Sequence, residues 1–161
     1  MFHTMKYEGT LKERYETVQK QLEALIDNEQ NMIANFANCS ALLQLFLDDI
    51  NWVGFYLVEE GKDELVLGPF QGMPACIRIP FNRGVCGHAA TTKKTIIVPD
   101  VHLFKGHIAC DGATQSEVVI PILKNGHLIG VLDIDSPIKN RFSEEEAYYL
   151  EKIVNSLEIQ L

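Results

Sequence analysis

The spacing of apolar and polar positions divides the chain into a helical start, a strand-rich middle and a helical end. Apolar residues recur at helical spacing over 11–27 and again over 29–48, and each pattern predicts a helix that buries one face. A closing helix is predicted over 143–159, where Ser143 and Glu146 have the spacing of a capping box.

Between these helices the apolar period falls to two, which is the period of a strand. The first strand, 51–57, places Trp52 and Tyr56 on one face and Val53 and Phe55 on the other. The other predicted elements are strands at 64–69, 75–80, 95–98, 116–123 and 127–135, a short helix at 84–92 and a long loop at 99–114. Together they predict an α+β fold: a mostly antiparallel sheet of about six strands, with helices on one face and a ligand pocket under loops on the other.

Length and composition are those of one globular domain. Of the 161 residues, 47% are hydrophobic and 22% are charged, and no apolar run approaches the roughly 20 residues that a bilayer-spanning helix needs. The 14 basic and 22 acidic residues give a net charge of −8, which repels nucleic-acid backbones. We therefore expect one domain over 1–161, with its first helices within 11–48, its sheet and loops within 51–137, and neither a membrane nor a nucleic acid as partner.

The four cysteines need an explanation, because we expect a reducing cytoplasmic location. Residues 1–6 lack the apolar core of a signal peptide, and structural disulfides are rare in the cytosol. Cys39 lies in an apolar helical pattern and is expected to be a small buried residue. The remaining three are Cys76, Cys86 and Cys110.

Two kinds of chemistry would use these three cysteines. One is a zinc site that also includes His107, although the chain has no Cys-x-x-Cys pair. The other is a redox cycle, in which a thiolate attacks an oxidised substrate, becomes a sulfenic acid and is resolved as a disulfide by a second cysteine. Lys105 and His107 would favour a thiolate at Cys110, whereas Asp111 would oppose it.

The dipeptide Asn125-Gly126 predicts a hairpin between the strands 116–123 and 127–135, and two registers are open. A two-residue loop places Glu117 opposite Ile134. That register would mix apolar and acidic residues across the paired strands, which argues against it.

A three-residue loop instead pairs Leu123 with His127 and places Glu117 opposite Asp133. We favour this register because it sorts the side chains by face. One face carries only Val118, Ile120, Ile122, Leu128, Leu132 and Ile134. The other carries Val119, Ile129 and Val131 and ends in Glu117, Asp133 and Asp135.

Three carboxylates on neighbouring strands repel one another. At least one should have a raised pKa or should face a cation, unless all three lie at a solvated strand end. Trp52 and Tyr56 share a strand face, as a core pair or as an aromatic wall of the kind that holds small cations and thioethers. Taken together, these groups predict a site for an ammonium group with a proton donor beside it.

Seven short motifs along the chain also occur together in one known group of enzymes. They are NWVGFYL (51–57), LGPFQG (67–72), PACI (74–77), GVCG (84–87), GHIACD (106–111), SEVVIP (116–121) and GVLDIDSP (130–137). On these motifs the chain resembles the free methionine-R-sulfoxide reductases, which are stand-alone GAF domains, over about residues 20–158. GHIACD and the three-cysteine pattern are specific to that group, whereas the GVLDID strand is shared with GAF domains at large.

The resemblance implies a role for each candidate residue. Cys110 matches the attacking cysteine, and Cys86 and Cys76 match the resolving or recycling cysteines, with their order left open. Trp52 and Tyr56 match the wall around the methyl end of the substrate. The matching substrate-binding carboxylates are Glu117, Asp133 and Asp135.

The implied reaction is the reduction of free L-methionine-(R)-sulfoxide, with no bound cofactor or metal and with a thioredoxin-type dithiol as external reductant. The alternative is a non-catalytic GAF sensor of a small molecule or of redox state. The exposed helices could form a two-fold interface, so a homodimer is a further expectation. Three positions depart from the family pattern: Asn82 replaces a glycine, His88 a threonine and Lys105 a proline.

Overall fold

The structure is a computed structural model that describes residues 6–161. The expectation about a leader segment rests mainly on residues 1–5, which lie outside the described residues. The helices are α1 (Leu11–Ile26), α2 (Met32–Phe46), α3 (Gly84–Thr92) and α4 (Glu144–Ile159). The strands are β1 (Trp52–Val58), β2 (Glu64–Gly72), β3 (Arg78–Pro80), β4 (Ile96–Val98), β5 (Ser116–Lys124) and β6 (His127–Ser136).

Side-chain caps fix where the long helices begin. The Ser143 hydroxyl accepts from the Glu146 N–H and the Glu146 carboxylate accepts from the Ser143 N–H, which confirms the predicted capping box of α4. Thr10 and Glu13 form the same box at the start of α1. Asn31 caps α2, so that helix begins later than the spacing of apolar residues predicts.

All neighbouring strands pair antiparallel in one six-stranded sheet of order β3-β2-β1-β6-β5-β4. The predicted α+β class is therefore confirmed. α2 and α4 pack on one face of the sheet, and α1 packs against α2 and α4. The other face is covered by loops, as expected, and also by α3, whereas we expected helices on one face only. Within 6–161, no helix has both the length and the apolar character to cross a bilayer.

The two faces of β1 separate the two halves of the interior, as its alternation predicts. Val53 and Phe55 point toward the three long helices, where the Phe55 ring stacks on Phe36 of α2 with centroids 4.3 Å apart. Trp52 and Tyr56 point toward α3 and the loops. The second face is thus built around aromatic side chains.

The hairpin register differs from the one that we favoured. The turn is a two-residue loop, in which Asn125 and Gly126 both have positive φ (51° and 78°), and Lys124 pairs with His127. The predicted three-residue loop is therefore wrong. The register then shifts between Leu123 and Ile122, which leaves Ile129 as an extra residue on β6.

This β-bulge determines which carboxylates meet. Beyond it Glu117 pairs with Asp135 rather than with Asp133, and Asp133 pairs with Val119. The extra residue turns the following side chains of β6 to the opposite face of the sheet. It thereby offsets the change from a three-residue to a two-residue loop, and the three carboxylates share one face, as predicted. On the turn side of the bulge the faces are exchanged: Ile129 packs toward the long helices and Leu128 toward the pocket, opposite to the prediction.

Candidate active site

A pocket opens on the second face of the sheet, between the sheet, α3 and two loops. Seven of the eight sequence-predicted site residues line it: Trp52, Tyr56, Cys86, Cys110, Glu117, Asp133 and Asp135. The eighth, Cys76, is bonded to Cys110 of this lining. The centres of water-sized molecules reach only about 30 Å³ of the pocket. A single water needs roughly 10–15 Å³ on that measure, so in this state the pocket has room for about two waters.

Two of the three candidate cysteines are bonded to each other. Cys76, between β2 and β3, forms a disulfide with Cys110, in the loop before β5, with a Cα–Cα distance of 5.6 Å. Cys86 is free and 3% exposed. The four-ligand zinc site does not form in this state, because the sulfurs of Cys76 and Cys110 are bonded together. Cys39 lies in α2 on the other face, fully buried as expected.

Cys86 lies at the bottom of the pocket beside the carboxylates. Its Sγ is 4.0 Å from Oε1 of Glu117. Burial, with Asp133 and Glu117 close by, raises the pKa of the Cys86 thiol well above its ordinary value. Cys86 is therefore a neutral thiol in this environment and a poor nucleophile. Gly87 lets α3 pack closely against the end of β3, since a Cβ there would lie 2.4 Å from the Pro80 carbonyl oxygen.

Two of the three carboxyl groups are buried, and the third, Asp135, is partly buried beside them. Glu117 is 5% and Asp133 is 6% exposed. Burial, followed by the neighbouring carboxylates, raises the pKa of Glu117, of Asp133 and of Asp135 well above the ordinary values. Groups with such pKa values hold protons that they can donate, as an acid catalyst requires.

The same groups could hold a small cation. The donor atoms of Cys86, Glu117 and Asp133 all lie within 4.8 Å of one another, and Oδ1 of Asp133 has no hydrogen-bond partner among residues 6–161. An ammonium group or a metal ion between them would offset the mutual repulsion of the carboxylates.

The aromatic wall is held rigidly on both sides. The Trp52 ring stacks on Tyr56 (centroids 5.8 Å apart) and on Phe70 (5.2 Å). The Trp52 indole donates to the Met73 carbonyl oxygen at 3.1 Å. Gly54 leaves the space for this stack, because a Cβ there would lie 2.3 Å from Cβ of Phe70.

His107 and Asn51 make polar contacts in the site that the sequence did not predict. Nε2 of His107 lies 3.4 Å from Oε2 of Glu117, and burial lowers the pKa of His107. Asn51 donates through Nδ2 to Oδ2 of Asp111 at 2.8 Å and to Oγ1 of Thr114 at 3.1 Å. The position of Asn51 at the start of the NWVGFYL motif is the only sequence signal that could have indicated this role.

The three departures from the family pattern lie outside the reacting groups. Asn82 has a φ of 62°, in the left-handed region that a glycine adopts without strain. Nδ1 of His88 lies 2.7 Å from the Gly84 carbonyl oxygen of its own helix. Lys105 is exposed.

A comparison of the sequence with known protein families shows which family this chain belongs to. The GAF domain family matches residues 21–161. This chain belongs to the GAF domain family. The fold described above, a six-stranded antiparallel sheet with a pocket on its second face, is therefore a GAF fold.

Relatives of this GAF protein cover nearly all of its length. It is 53% identical over 158 residues to the Bacillus subtilis protein YtsP, which is 98% of this chain and 97% of that protein. It is 49% identical over 146 residues to the free methionine-R-sulfoxide reductase of Escherichia coli (91% and 87%). A solved structure of free methionine-R-sulfoxide reductase from Neisseria meningitidis in complex with its substrate superposes with a TM-score of 0.91, at 43% identity (99% and 95%). The resemblance that the motifs indicate is therefore confirmed.

Proposed function

We propose that this GAF protein is an oxidoreductase that reduces free L-methionine-(R)-sulfoxide to methionine. Its similarity to proteins of that name over nearly the whole chain supports the proposal. The observation that carries it is the Cys76–Cys110 disulfide at a pocket lined by buried carboxyl groups and stacked aromatic rings.

The pocket offers a complementary group for each end of this substrate. The ammonium group is bound by Asp133 or its neighbours, where Oδ1 of Asp133 lacks a partner within the described part of the chain. The methyl end lies against the rings of Trp52 and Tyr56, since sulfur and methyl groups pack well on aromatic rings. A site that binds the ammonium and the carboxylate of a free amino acid leaves no room for a flanking peptide chain.

The chemical step transfers the sulfoxide oxygen to Cys110. The Cys110 thiolate attacks the sulfoxide sulfur while a protonated carboxyl, Glu117 or Asp135, donates a proton to the oxygen. Methionine leaves and Cys110 becomes a sulfenic acid, so the substrate sulfur gains the two electrons that the cysteine sulfur loses. General acid catalysis of this kind contributes roughly 10²–10⁴-fold.

The second step forms the disulfide that the structure contains. The Cys76 thiol attacks the Cys110 sulfenic acid, water leaves, and the Cys76–Cys110 bond forms. Cys86 takes no part in this bond. An external dithiol of the thioredoxin type reopens the disulfide, so the cycle needs no bound cofactor. A cytoplasmic location and a homodimer through the exposed helices stay predictions.

The test is a chiral separation of free methionine sulfoxide after incubation with the protein and dithiothreitol. We expect the R epimer alone to disappear and methionine to appear. Cys110→Ser should abolish turnover, whereas Cys39→Ser, a buried cysteine on the other face, should leave it intact. If fully reduced protein changes neither epimer, the proposal fails and a non-catalytic GAF sensor becomes the better interpretation.

A further inference from the structure

The disulfide at the mouth of the pocket is flanked by exposed apolar side chains. Met73, three residues before Cys76, is 63% exposed, and Ile77, the residue after it, is 69% exposed. Pro74 is exposed between them, and Ala109, the residue before Cys110, is also exposed. We call Met73, Pro74, Ile77 and Ala109 the apolar rim.

The segment that carries most of this rim is held in place from below. The Met73 carbonyl oxygen accepts from the Trp52 indole at 3.1 Å, and the Cys76 carbonyl oxygen accepts from the Tyr56 hydroxyl at 2.9 Å. The Ile77 carbonyl oxygen accepts from the Leu67 N–H at 2.9 Å. A side chain that is exposed on a fixed backbone costs little additional ordering when a partner covers it.

The rim is also uncharged in a chain where charge is common. Residues 73–77 and 108–110 contain no ionisable group other than the two bonded cysteines, although the chain has 14 basic and 22 acidic residues. The charges that follow the two segments are Arg78, which is paired with Glu59 and Glu64, and Asp111, which accepts from Asn51. A partner of this surface is therefore recognised by apolar contact and not by charge.

The chemistry of the disulfide determines what that partner is. Thiol–disulfide exchange needs an attacking thiolate in bonding contact with one sulfur of Cys76 or Cys110. A protein that delivers such a thiolate must lay its own surface on the exposed residues that flank the bond. We propose that the apolar rim is the docking surface for a protein dithiol of the thioredoxin type, with Ile77 as its main contact.

This inference rests on the proposed function, because it names the surface that serves the recycling step. The exchange is balanced within the complex. The first thiolate of the partner bonds to one cysteine sulfur and releases the other as a thiolate. The second partner thiolate then attacks the partner's own sulfur in the mixed disulfide and releases the remaining cysteine as a thiolate, so that the partner leaves oxidised and Cys76 and Cys110 are both reduced.

The experiment compares two reductants on the same variants. Turnover of free methionine sulfoxide is driven either by dithiothreitol or by thioredoxin that is kept reduced by its reductase and NADPH. A small dithiol needs no docking surface, so the rate with dithiothreitol reports the pocket and the disulfide alone. The rate at low thioredoxin concentration reports docking as well.

For Ile77→Glu we expect an unchanged rate with dithiothreitol and a KM for thioredoxin that is raised about tenfold, a typical loss when a buried interface contact is removed. Ile77→Val should behave as wild type. Ile159→Glu is the matched control: Ile159 is 82% exposed at the end of α4, which packs on the other face of the sheet, and neither rate should change.

Three results would overturn the inference. One is an Ile77→Glu variant with the wild-type KM for thioredoxin. The second is an equal loss of turnover rate in Ile77→Glu with both reductants, which would mean that Ile77 acts on the chemistry in the pocket. The third is a wild-type protein that turns over with dithiothreitol but not with thioredoxin. A wild-type protein that is inactive with both reductants contradicts the proposed function itself.

Discussion

The Tyr56 hydroxyl donates a hydrogen bond of 2.9 Å to the carbonyl oxygen of Cys76. Tyr56 is 2% exposed, and burial raises the pKa of its phenol well above the ordinary value, so it remains a donor at any pH the protein tolerates. The residue therefore has two contacts: its ring lies in the aromatic wall, and its hydroxyl fixes the backbone of the cysteine that we propose as resolver.

Tyr56→Phe should separate these two contacts, because phenylalanine keeps the ring and removes the hydroxyl. A hydrogen bond of this kind stabilises by about 0.5–1.5 kcal/mol, which corresponds to a rate change of up to about tenfold. We expect disulfide formation to slow within that range, while methionine release in the first turnover is little changed. Rapid mixing of reduced protein with substrate, followed by methionine and free-thiol assays, measures both rates.

The control is Tyr148→Phe, which removes a hydroxyl from a tyrosine that is 52% exposed on α4. Its two rates should match those of the wild type. Equal slowing of both steps in Tyr56→Phe would contradict the prediction, because it would mean that the hydroxyl acts on the substrate.

Cys76→Ser and Cys86→Ser should have opposite effects on the disulfide. Without Cys76, reduced protein should release one equivalent of methionine and stop, and the Cys110 sulfenic acid should persist long enough for a dimedone probe to label it. Without Cys86, the Cys76–Cys110 bond should still form, because that bond leaves Cys86 free. Mass spectrometry of the peptides after one turnover distinguishes the two outcomes. Loss of the disulfide in Cys86→Ser, with its retention in Cys76→Ser through Cys86, would reverse the assignment.

Asn51→Leu should loosen the loop that carries Cys110. The Asn51 side chain donates to Asp111, the residue next to Cys110, and to Thr114. A leucine leaves the partly buried Asp111 carboxylate without this donor, at a cost of about 1–3 kcal/mol. We expect faster amide hydrogen exchange over 107–114 and slower disulfide formation. Asn38→Leu, at an exposed position of α2, should change neither, and unchanged exchange in Asn51→Leu would remove this role.

The periodicity of the sequence was sufficient to predict the elements and most of the strand faces, but not the hairpin register or the faces of the residues next to the turn. Both faces of β1 are buried, and its side chains alternate between them, so the opposite faces of Trp52 and Val53 follow directly from the two-residue period of a strand. The β-bulge at Ile129 could not be predicted from the sequence, because an apolar side chain fits on either face of the strand. The turn chemistry of Asn125-Gly126 left both loops open, and the face pattern led us to favour the wrong one.

The residues of the site were predictable as a group, but their pairings were not. Glu117, Asp133 and Asp135 share a strand face in the predicted register and also in the observed one. Only the structure shows that Glu117 pairs with Asp135. The Cys76–Cys110 pair joins segments 34 residues apart, and neither periodicity nor spacing states which cysteines meet. Such contacts depend on how loops close over the sheet.

The buried carboxyl groups should make the stability of the protein fall as pH rises. Burial, and then Asp133 and Asp111, raises the pKa of Asp135 above its ordinary value in the folded state. In the unfolded chain this group ionises near pH 4. Its contribution to stability is thus fully present below about pH 4 and is lost as pH rises through the folded-state pKa.

Asp135→Asn removes this titration and should stabilise the protein at alkaline pH. Each unit by which the folded pKa exceeds the unfolded one corresponds to about 1.4 kcal/mol, and each kcal/mol raises the Tm of a protein of this size by about 2–4 °C. We expect the variant to exceed the wild type in free energy of unfolding by a margin that grows from pH 5 to pH 8, as measured by urea denaturation of the disulfide form. Asp63→Asn, at an exposed position, controls for the loss of a surface charge. A margin that stays constant with pH would show that Asp135 does not hold a proton in the folded state.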